Sequence, residues 1–155
     1  MPVKISKTTA LTIGAFASYF VSLAIPCTSM GKDGYHIGLI ALGFGWTALS
    51  SGVWSWLANV TWLLTVVATA LRWRIAALSL SVLSIGLVLD AFAFLGTKVP
   101  LDEGGANNGT VIALGPGYYF WFASFVLLAI AAWMSPSRQV KPMTSPPSTP
   151  PPASE

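Results

Sequence analysis

The sequence predicts an all-α integral membrane protein: a four-helix bundle with one additional half-embedded, interfacial helix and a disordered proline-rich tail. Of its 155 residues, 54% are hydrophobic and only 8% are charged, whereas a soluble domain carries about a quarter charged residues. The few charges are separated by apolar runs too long to be core helices of a small globular domain. The longest uncharged runs lie between Lys7 and Lys32, between His36 and Arg72, and between Glu103 and Arg138.

The first apolar run, residues 8–26, is just long enough to cross a hydrocarbon core of about 30 Å. Its small residues recur every four positions and form a stripe that lets two helices approach closely; they are Ala10, Gly14, Ser18 and Ser22. Ser22 and Ala24 also fit the −3 and −1 positions of a signal-peptide cleavage site. The stripe favours a retained transmembrane helix, and a cleaved signal peptide is the alternative.

The next apolar stretch, residues 37–71, contains either one span or two, because a single helix of that length would measure about 52 Å. With one span in this stretch, six basic residues lie on the same side of the membrane: Lys4, Lys7, Arg72, Arg74, Arg138 and Lys141. With two spans, the last four of them move to the outer side, against the positive-inside rule. We therefore predict four spans, near residues 8–26, 54–71, 75–95 and 117–134, with both termini in the cytoplasm.

Aromatic residues at the ends of two spans indicate the same boundaries, because tryptophan and tyrosine favour the membrane interfaces. The second span begins with Trp54 and Trp56 and ends at Trp73. The fourth span begins with Tyr118, Tyr119 and Trp121 and ends at Trp133.

Residues 37–53 are predicted to form the interfacial helix on the outer side. Small residues line one helical face of this segment; they are Gly38, Ala41, Gly45, Ala48 and Gly52. Each glycine costs a helix about 1 kcal/mol relative to alanine, a cost that tight packing of the small face against another helix would offset. The alternative is that glycine is simply frequent in membrane segments.

The remaining segments are predicted to lack regular structure. Residues 96–116 form a glycine- and asparagine-rich loop on the outer side. Residues 135–155 contain seven of the eleven prolines, and this composition predicts a disordered cytoplasmic tail that follows a transmembrane domain of residues 1–134.

Two polar residues within the predicted spans are candidate functional positions. Asp90 is the only charged residue inside a span, and it lies about 22 Å from the inner end of its helix, hence in the outer third. It is either a structural aspartate that reaches polar partners or a proton or ion site. Asn59 lies about 8 Å inside the second span, where its amide needs a hydrogen-bond partner on a neighbouring helix.

The composition argues against several classes of function. A single cysteine, Cys27, and a single histidine, His36, exclude an intrachain disulfide, a bis-histidine haem and a multi-histidine metal site. The basic residues are single or paired and form no patch for nucleic acid. We therefore expect no cofactor, no metal, no nucleic-acid partner and no enzymatic activity.

Three blocks carry a family resemblance: residues 56–59 (WLAN), 102–105 (DEGG) and 117–124 (GYYFWFAS). Together they resemble a group of small, uncharacterised bacterial multi-pass inner-membrane proteins, over roughly Gly34 to Trp133. The resemblance implies a bacterial cytoplasmic membrane. The group carries no assigned activity, so it implies nothing about mechanism.

The favoured hypothesis is a non-catalytic interaction protein in the bilayer, such as an accessory subunit, an assembly factor or an immunity protein, with a protein partner or a second copy of itself as its target. The alternative is a small transporter or channel that works as an oligomer and couples protons through Asp90. An intramembrane enzyme is a third hypothesis, which lacks a His/Asp/Cys constellation for catalysis.

Overall fold

Four long helices dominate the computed structural model, which describes residues 6–31, 34–100 and 108–136. They are α1 (Lys7–Ala24), α3 (Leu57–Ala70), α4 (Arg74–Leu89) and α5 (Pro116–Met134), and a shorter helix, α2 (Gly38–Phe44), precedes α3. Turns of 3₁₀ helix continue α2 over Gly45–Ser51 and α4 over Asp90–Phe94. The long helices overlap the four segments that the sequence predicts as spans, and the fold is mostly helical.

The helices present apolar side chains outward as well as inward. In the described part of the chain, two helices are long and apolar enough to cross a membrane: Arg74–Phe94, with a mean hydropathy of 2.1, and Pro116–Met134, with 1.6. On α4, Ile75 and Val82 are 83% and 73% exposed. These helices therefore lack the polar outer face of a helix on the surface of a water-soluble domain.

The four long helices pack as antiparallel neighbours. The most extensive contact joins α1 to α5, and α5 packs on α4, which packs on α3. Between α1 and α3 the gap is filled by aromatic rings: the Trp62 ring lies 4.9 Å from the Phe16 ring and 4.6 Å from the Tyr19 ring, centroid to centroid. Side chains from all four helices, including Ala15, Val88 and Phe125, fill the core between them.

The small-residue stripe of α1 lies partly against α5. A Cβ on Gly14 would lie 3.7 Å from a leucine side chain of α5, and the Ser18 hydroxyl donates to the Phe120 carbonyl at 2.7 Å. Ser22 is buried, and its carbonyl oxygen lies against the first residue of α2. Ala10 is exposed, so its packing against another helix stays a prediction.

The two ends of the bundle differ in character. At one end the end of α3, the start of α4 and the C-terminus of α5 come together around buried Ala68, Ala77 and Ala132. Helix α1 begins at the same end, because it runs antiparallel to α5, with Gly14 beside Leu127 and Ser18 bonded to Phe120. The basic residues Lys7 and Arg72 belong to this end. The other end carries α2 and every strand of the described residues. We call these the basic end and the strand end.

A non-glycine residue in the left-handed conformation closes the α3–α4 turn. Arg72 has a φ of 59°, and the N–H groups of Arg72 and Trp73 donate to the carbonyls of Thr69 and Ala68 at 3.1 and 2.9 Å. This is the Schellman arrangement, in which glycine is the usual residue. Arginine costs about 1 kcal/mol more than glycine in this conformation. In return, it places a positive charge at the tip of the turn.

The strand end departs from the predicted all-α fold. Strand β1 (Pro26–Ser29) pairs antiparallel with β2 (Tyr35–Ile37) and β5 (Ala113–Leu114), and β3 (Lys98–Pro100) pairs with β4 (Asn108–Thr110). The outer loop predicted over residues 96–116 therefore contains three short strands in its described part. Strands of two to four residues are too short to show an alternating pattern, and the β1–β5 pair joins segments that are distant in sequence.

The segment predicted as one interfacial α-helix is instead two kinds of helix in succession. After α2 the chain tightens into 3₁₀ geometry at Gly45, which changes the angle between successive residues and ends the continuous small face. Gly38 and Gly45 lie directly against other elements, Ala41 is exposed and Ala48 is half-buried. Gly52 ends the helix with a φ of 80°, and a Cβ added there would meet nothing within 4 Å. Its backbone conformation explains this glycine, and its packing role stays a prediction.

Some of the predicted features lie outside the residues that the structure describes. These are the DEGG block at 102–105, the predicted tail beyond Pro136, and the basic residues Lys4, Arg138 and Lys141.

The substitution Gly38→Ala tests the contact between α2 and α1. An added Cβ would overlap the Ser22 carbonyl oxygen and lie 2.9 Å from Leu23 Cα, so the backbone must move. We expect the free energy of unfolding in detergent, followed by tryptophan fluorescence, to fall by about 1–3 kcal/mol.

The matched control is Gly43→Ala in the same helix, where nothing lies within 4 Å of an added Cβ. Alanine has the higher helix propensity, so this variant should be as stable as the parent or up to about 1 kcal/mol more stable. Equal stability of the two variants would contradict the close contact.

Candidate functional site

A partly open cavity of about 110 Å³ lies at the strand end of the bundle. Its wall is formed by the end of α1, β1, α2 and the 3₁₀ turn after it, the start of α3, the 3₁₀ turn after α4, β5 and the start of α5. Its aromatic and polar lining residues are Trp56, Phe94, Tyr118, Trp121, Ser22, Cys27, Thr28, Ser55 and Asn59. None of the described residues that line it carries a charge.

Asn59 is the hydrogen-bonding centre of this site. Its Oδ1 accepts from the Tyr19 hydroxyl at 2.9 Å and from Trp121 Nε1 at 3.0 Å, and its Nδ2 donates to the Trp56 carbonyl at 3.0 Å. The amide therefore connects α3 to both α1 and α5. The prediction that Asn59 bonds to a neighbouring helix is confirmed, with two helices rather than one.

An amide suits this position because of the hydrogen bonds that it can donate and accept. Both Tyr19 and Trp121 present donors, and a carbonyl oxygen with two lone pairs accepts from both at once. A carboxylate would do the same only by introducing a charge among apolar walls, which is costly. Asn59 thus satisfies two buried donors without a charge. One N–H of its amide group has no partner among the described residues.

Asp90 lies at the start of the 3₁₀ turn after α4, and its carboxylate faces the beginning of α3. Its Oδ2 accepts from the backbone N–H groups of Trp54 and Ser55, at 2.5 and 3.0 Å. These N–H groups open the helical turn that leads into α3 and have no carbonyl partner within that helix. A negative charge is also favoured at a helix N-terminus. The contacts of Asp90 are therefore those of a cap, supplied to α3 by another helix.

Trp56 fixes α2 above the cavity. Its indole N–H donates to the Leu42 carbonyl at 2.8 Å, and its ring lies so close to Gly45 that an added Cβ there would be 2.8 Å from Cδ1. Because the hydrogen bond and the ring contact act on the two halves of the α2–3₁₀ segment, one side chain holds that whole segment in place.

The aromatic residues predicted as interface anchors divide into two groups. Trp54, Trp73, Tyr119 and Trp133 are all more than half exposed. Trp56, Tyr118 and Trp121 instead face the interior, and Tyr118, at 5% exposure, donates its hydroxyl to the Val88 carbonyl at 3.1 Å. The sequence pattern predicts how deep in the membrane such a residue lies. It does not predict whether the ring faces lipid or the protein interior.

The β1 side of the cavity contains uncharged groups. The Cys27 thiol donates to the His36 carbonyl at 3.2 Å. Burial raises the pKa of the Cys27 thiol and lowers the pKa of the His36 imidazole, so at neutral pH both groups are uncharged. The Thr28 hydroxyl is buried beside the Cys27 thiol, to which it can donate, and it accepts a hydrogen bond from none of the described residues.

The site supports binding chemistry better than catalysis. Within residues 6–31, 34–100 and 108–136, no three histidine, cysteine, aspartate or glutamate side chains come together to hold a metal ion. The groups that line the cavity are hydroxyls, a protonated thiol, an amide and indoles. Such groups donate and accept hydrogen bonds in an apolar surrounding.

The sequence gives no indication of a role for Tyr19 or Thr28, and it predicts Trp121 only as an interface residue. The position of Asn59 within a predicted span predicts that it has a hydrogen-bond partner. The identity of that partner depends on the order of the helices around the bundle. The position of the Thr28 hydroxyl depends on the pairing of β1 with β5, which has no signal in the sequence.

No protein-family model, no curated protein and no solved structure matches this chain. The interpretation of the site therefore comes from its own geometry.

Replacing Asn59 with leucine tests the amide connection. Leucine has nearly the same shape but leaves the Tyr19 hydroxyl and the Trp121 indole without an acceptor, and we expect a loss of about 2–4 kcal/mol in the free energy of unfolding. Tyr19→Phe is the graded control, because it removes one donor and keeps the bond to Trp121. It should cost about 0.5–1.5 kcal/mol. Equal losses in chemical unfolding of the two variants would argue against a shared acceptor.

A second pair of variants tests the cap. Asp90→Ala leaves the Trp54 and Ser55 N–H groups without an acceptor and should lower the free energy of unfolding by about 0.5–2 kcal/mol. Asp90→Asn keeps an acceptor oxygen, and asparagine is among the best capping residues, so it should lose less than half as much. If asparagine proves as damaging as alanine, Asp90 acts through its charge and not as a cap.

Proposed function

We propose that this chain is a four-span protein of the bacterial inner membrane and acts as a non-catalytic interaction protein of the accessory, assembly or immunity type. In this proposal the strand end faces outward and binds a protein partner. The observation that carries the proposal is the rigid, aromatic outer surface of the α2–3₁₀ segment and the strands beside it. We call this surface the outer cap; its exposed apolar residues are Tyr35, Leu39, Phe44, Trp46 and Ile112.

The dimensions and surface of the bundle support the membrane assignment. Helices α4 and α5 have the length and hydropathy of spans. With its flanking turns, the third helix reaches from Trp54 to Arg72, about 28 Å. Helix α1 contributes fully buried Ala15 and the Ser18–Phe120 hydrogen bond to the bundle, which supports a retained helix and not a cleaved signal peptide. The lipid bilayer would then cover the exposed apolar faces of the helices.

The distribution of charge supports the orientation. Lys7, Arg72 and Arg74 all belong to the basic end, which the positive-inside rule assigns to the cytoplasm. The left-handed conformation of Arg72 strengthens this argument, because glycine would fit that turn at lower cost. The resemblance of the sequence to bacterial inner-membrane proteins supports the choice of membrane.

The outer cap has the properties of a binding surface. Phe44, Leu39 and Trp46 are 69%, 58% and 55% exposed. Aromatic side chains are enriched at the energetic centres of protein interfaces. The segment is also held in place by the Gly38 contact and the Trp56 side chain, so little conformational freedom is lost when a partner binds.

The two alternative functions have less support. A proton-coupled transporter would need Asp90 to exchange protons during transport, but its carboxylate accepts two backbone N–H groups whose capping would weaken on protonation. A metal-dependent intramembrane enzyme would need a cluster of metal ligands, and no three histidine, cysteine, aspartate or glutamate side chains of the described residues come together.

Site-specific photo-crosslinking in intact cells tests the proposed function. A benzophenone amino acid replaces Trp46 in the outer cap, and the matched control replaces Val82, which is 73% exposed on the side of α4. We expect a discrete protein adduct from position 46 and none from position 82, with mass spectrometry identifying the partner or a second copy of the chain.

Lipid adducts alone at both positions would overturn the proposal. That result would reduce the outer cap to a membrane anchor.

A further inference from the structure

We propose that the cavity at the strand end is a binding site for a small uncharged molecule with one ring and one hydroxyl group, of the phenol or cyclic-alcohol class. This inference concerns a ligand inside the bundle. It stands independently of the protein partner proposed for the outer cap.

The volume sets the size of the ligand. A cavity of about 150 Å³ in a protein core takes up benzene, and this one measures about 110 Å³. A single ring therefore fills it with a small adjustment of the side chains.

The walls set its polarity and shape. None of the described lining residues is charged, so a charged ligand would lose its hydration without gaining a counter-ion. Trp56, Phe94, Tyr118 and Trp121 all line the cavity. Aromatic side chains favour edge-to-face and offset contacts with another ring, and this favours a cyclic ligand over a linear chain.

Two polar groups explain why a hydroxyl is included. Thr28 lines the cavity, and its buried hydroxyl can donate to the neighbouring Cys27 thiol but accepts a hydrogen bond from none of the described residues. Asn59 also lines the cavity, and one N–H of its amide is uncommitted. A ligand hydroxyl donates one hydrogen bond and accepts others, so it satisfies an acceptor such as Thr28 Oγ1 and a donor such as the Asn59 amide together.

The test is ¹⁹F NMR of ligand binding to the full-length protein in detergent. The probes are 4-fluorophenol, fluorobenzene, which lacks the hydroxyl, and 4-fluorobenzoate, which is charged at neutral pH. We expect saturable binding of 4-fluorophenol, weaker saturable binding of fluorobenzene and no saturable binding of the benzoate. Equal binding of all three probes, or the absence of saturation, would overturn the proposal.

A matched pair of variants separates the site from general partitioning into detergent. Thr28→Val removes this hydroxyl at nearly constant shape, and it should weaken 4-fluorophenol about fivefold, as expected for one neutral hydrogen bond, while fluorobenzene is unchanged. Thr69→Val is the control, because the Thr69 hydroxyl is also buried and without a partner among the described residues, yet Thr69 does not line the cavity. Identical affinities in the two variants would remove the role of Thr28.

A third variant fills the cavity. Ala91 is 5% exposed and lines the cavity, so Ala91→Leu should abolish saturable binding of both 4-fluorophenol and fluorobenzene. Undiminished binding to a folded Ala91→Leu protein would place the ligand elsewhere. If that variant fails to fold, the Thr28 and Thr69 pair still decides the question.

Discussion

The strand end of the bundle depends on one half-buried amide, because α1 and α3 make fewer backbone contacts with each other than either makes with its other neighbour. Asn59 accepts from a tyrosine of α1 and a tryptophan of α5, and it crosses the gap that Phe16, Tyr19 and Trp62 fill with their rings. In an apolar surrounding each of those donors would be costly without an acceptor. One uncharged side chain therefore fixes the relative positions of three helices.

The other contacts at this end follow the same principle, in which a side chain of one element satisfies the backbone of another. Asp90 caps the start of α3, and Trp56 donates to a carbonyl of α2. Each bond serves a helix terminus, where N–H or carbonyl groups have no partner within the helix. Helix ends that are held by side chains need not pack on each other, and the space that remains between them is the cavity.

Much of the helical framework could be predicted from the sequence, since the long uncharged runs have the length of a helix that crosses a bilayer. A hydrogen-bond partner for Asn59 was also predictable, because an amide inside the membrane has donor and acceptor groups that must be paired. The identity of the partners was not, because Tyr19 and Trp121 meet Asn59 only through the helix order. The 3₁₀ geometry after Gly45 and the pairing of Thr28 with Leu114 arise from tertiary contacts. Such contacts produce no periodic pattern of apolar residues in the sequence.

The cavity is lined by both large and small residues. Gly45, Ala91 and Gly117 line it together with the tryptophans and Tyr118, and the glycines are required where the chain passes close to Trp56 and to the Pro26 carbonyl. An empty cavity leaves the apolar atoms of its walls with few contact partners, and it leaves the Thr28 hydroxyl without a donor. A ring with a hydroxyl group supplies both, whereas an apolar occupant supplies only the first.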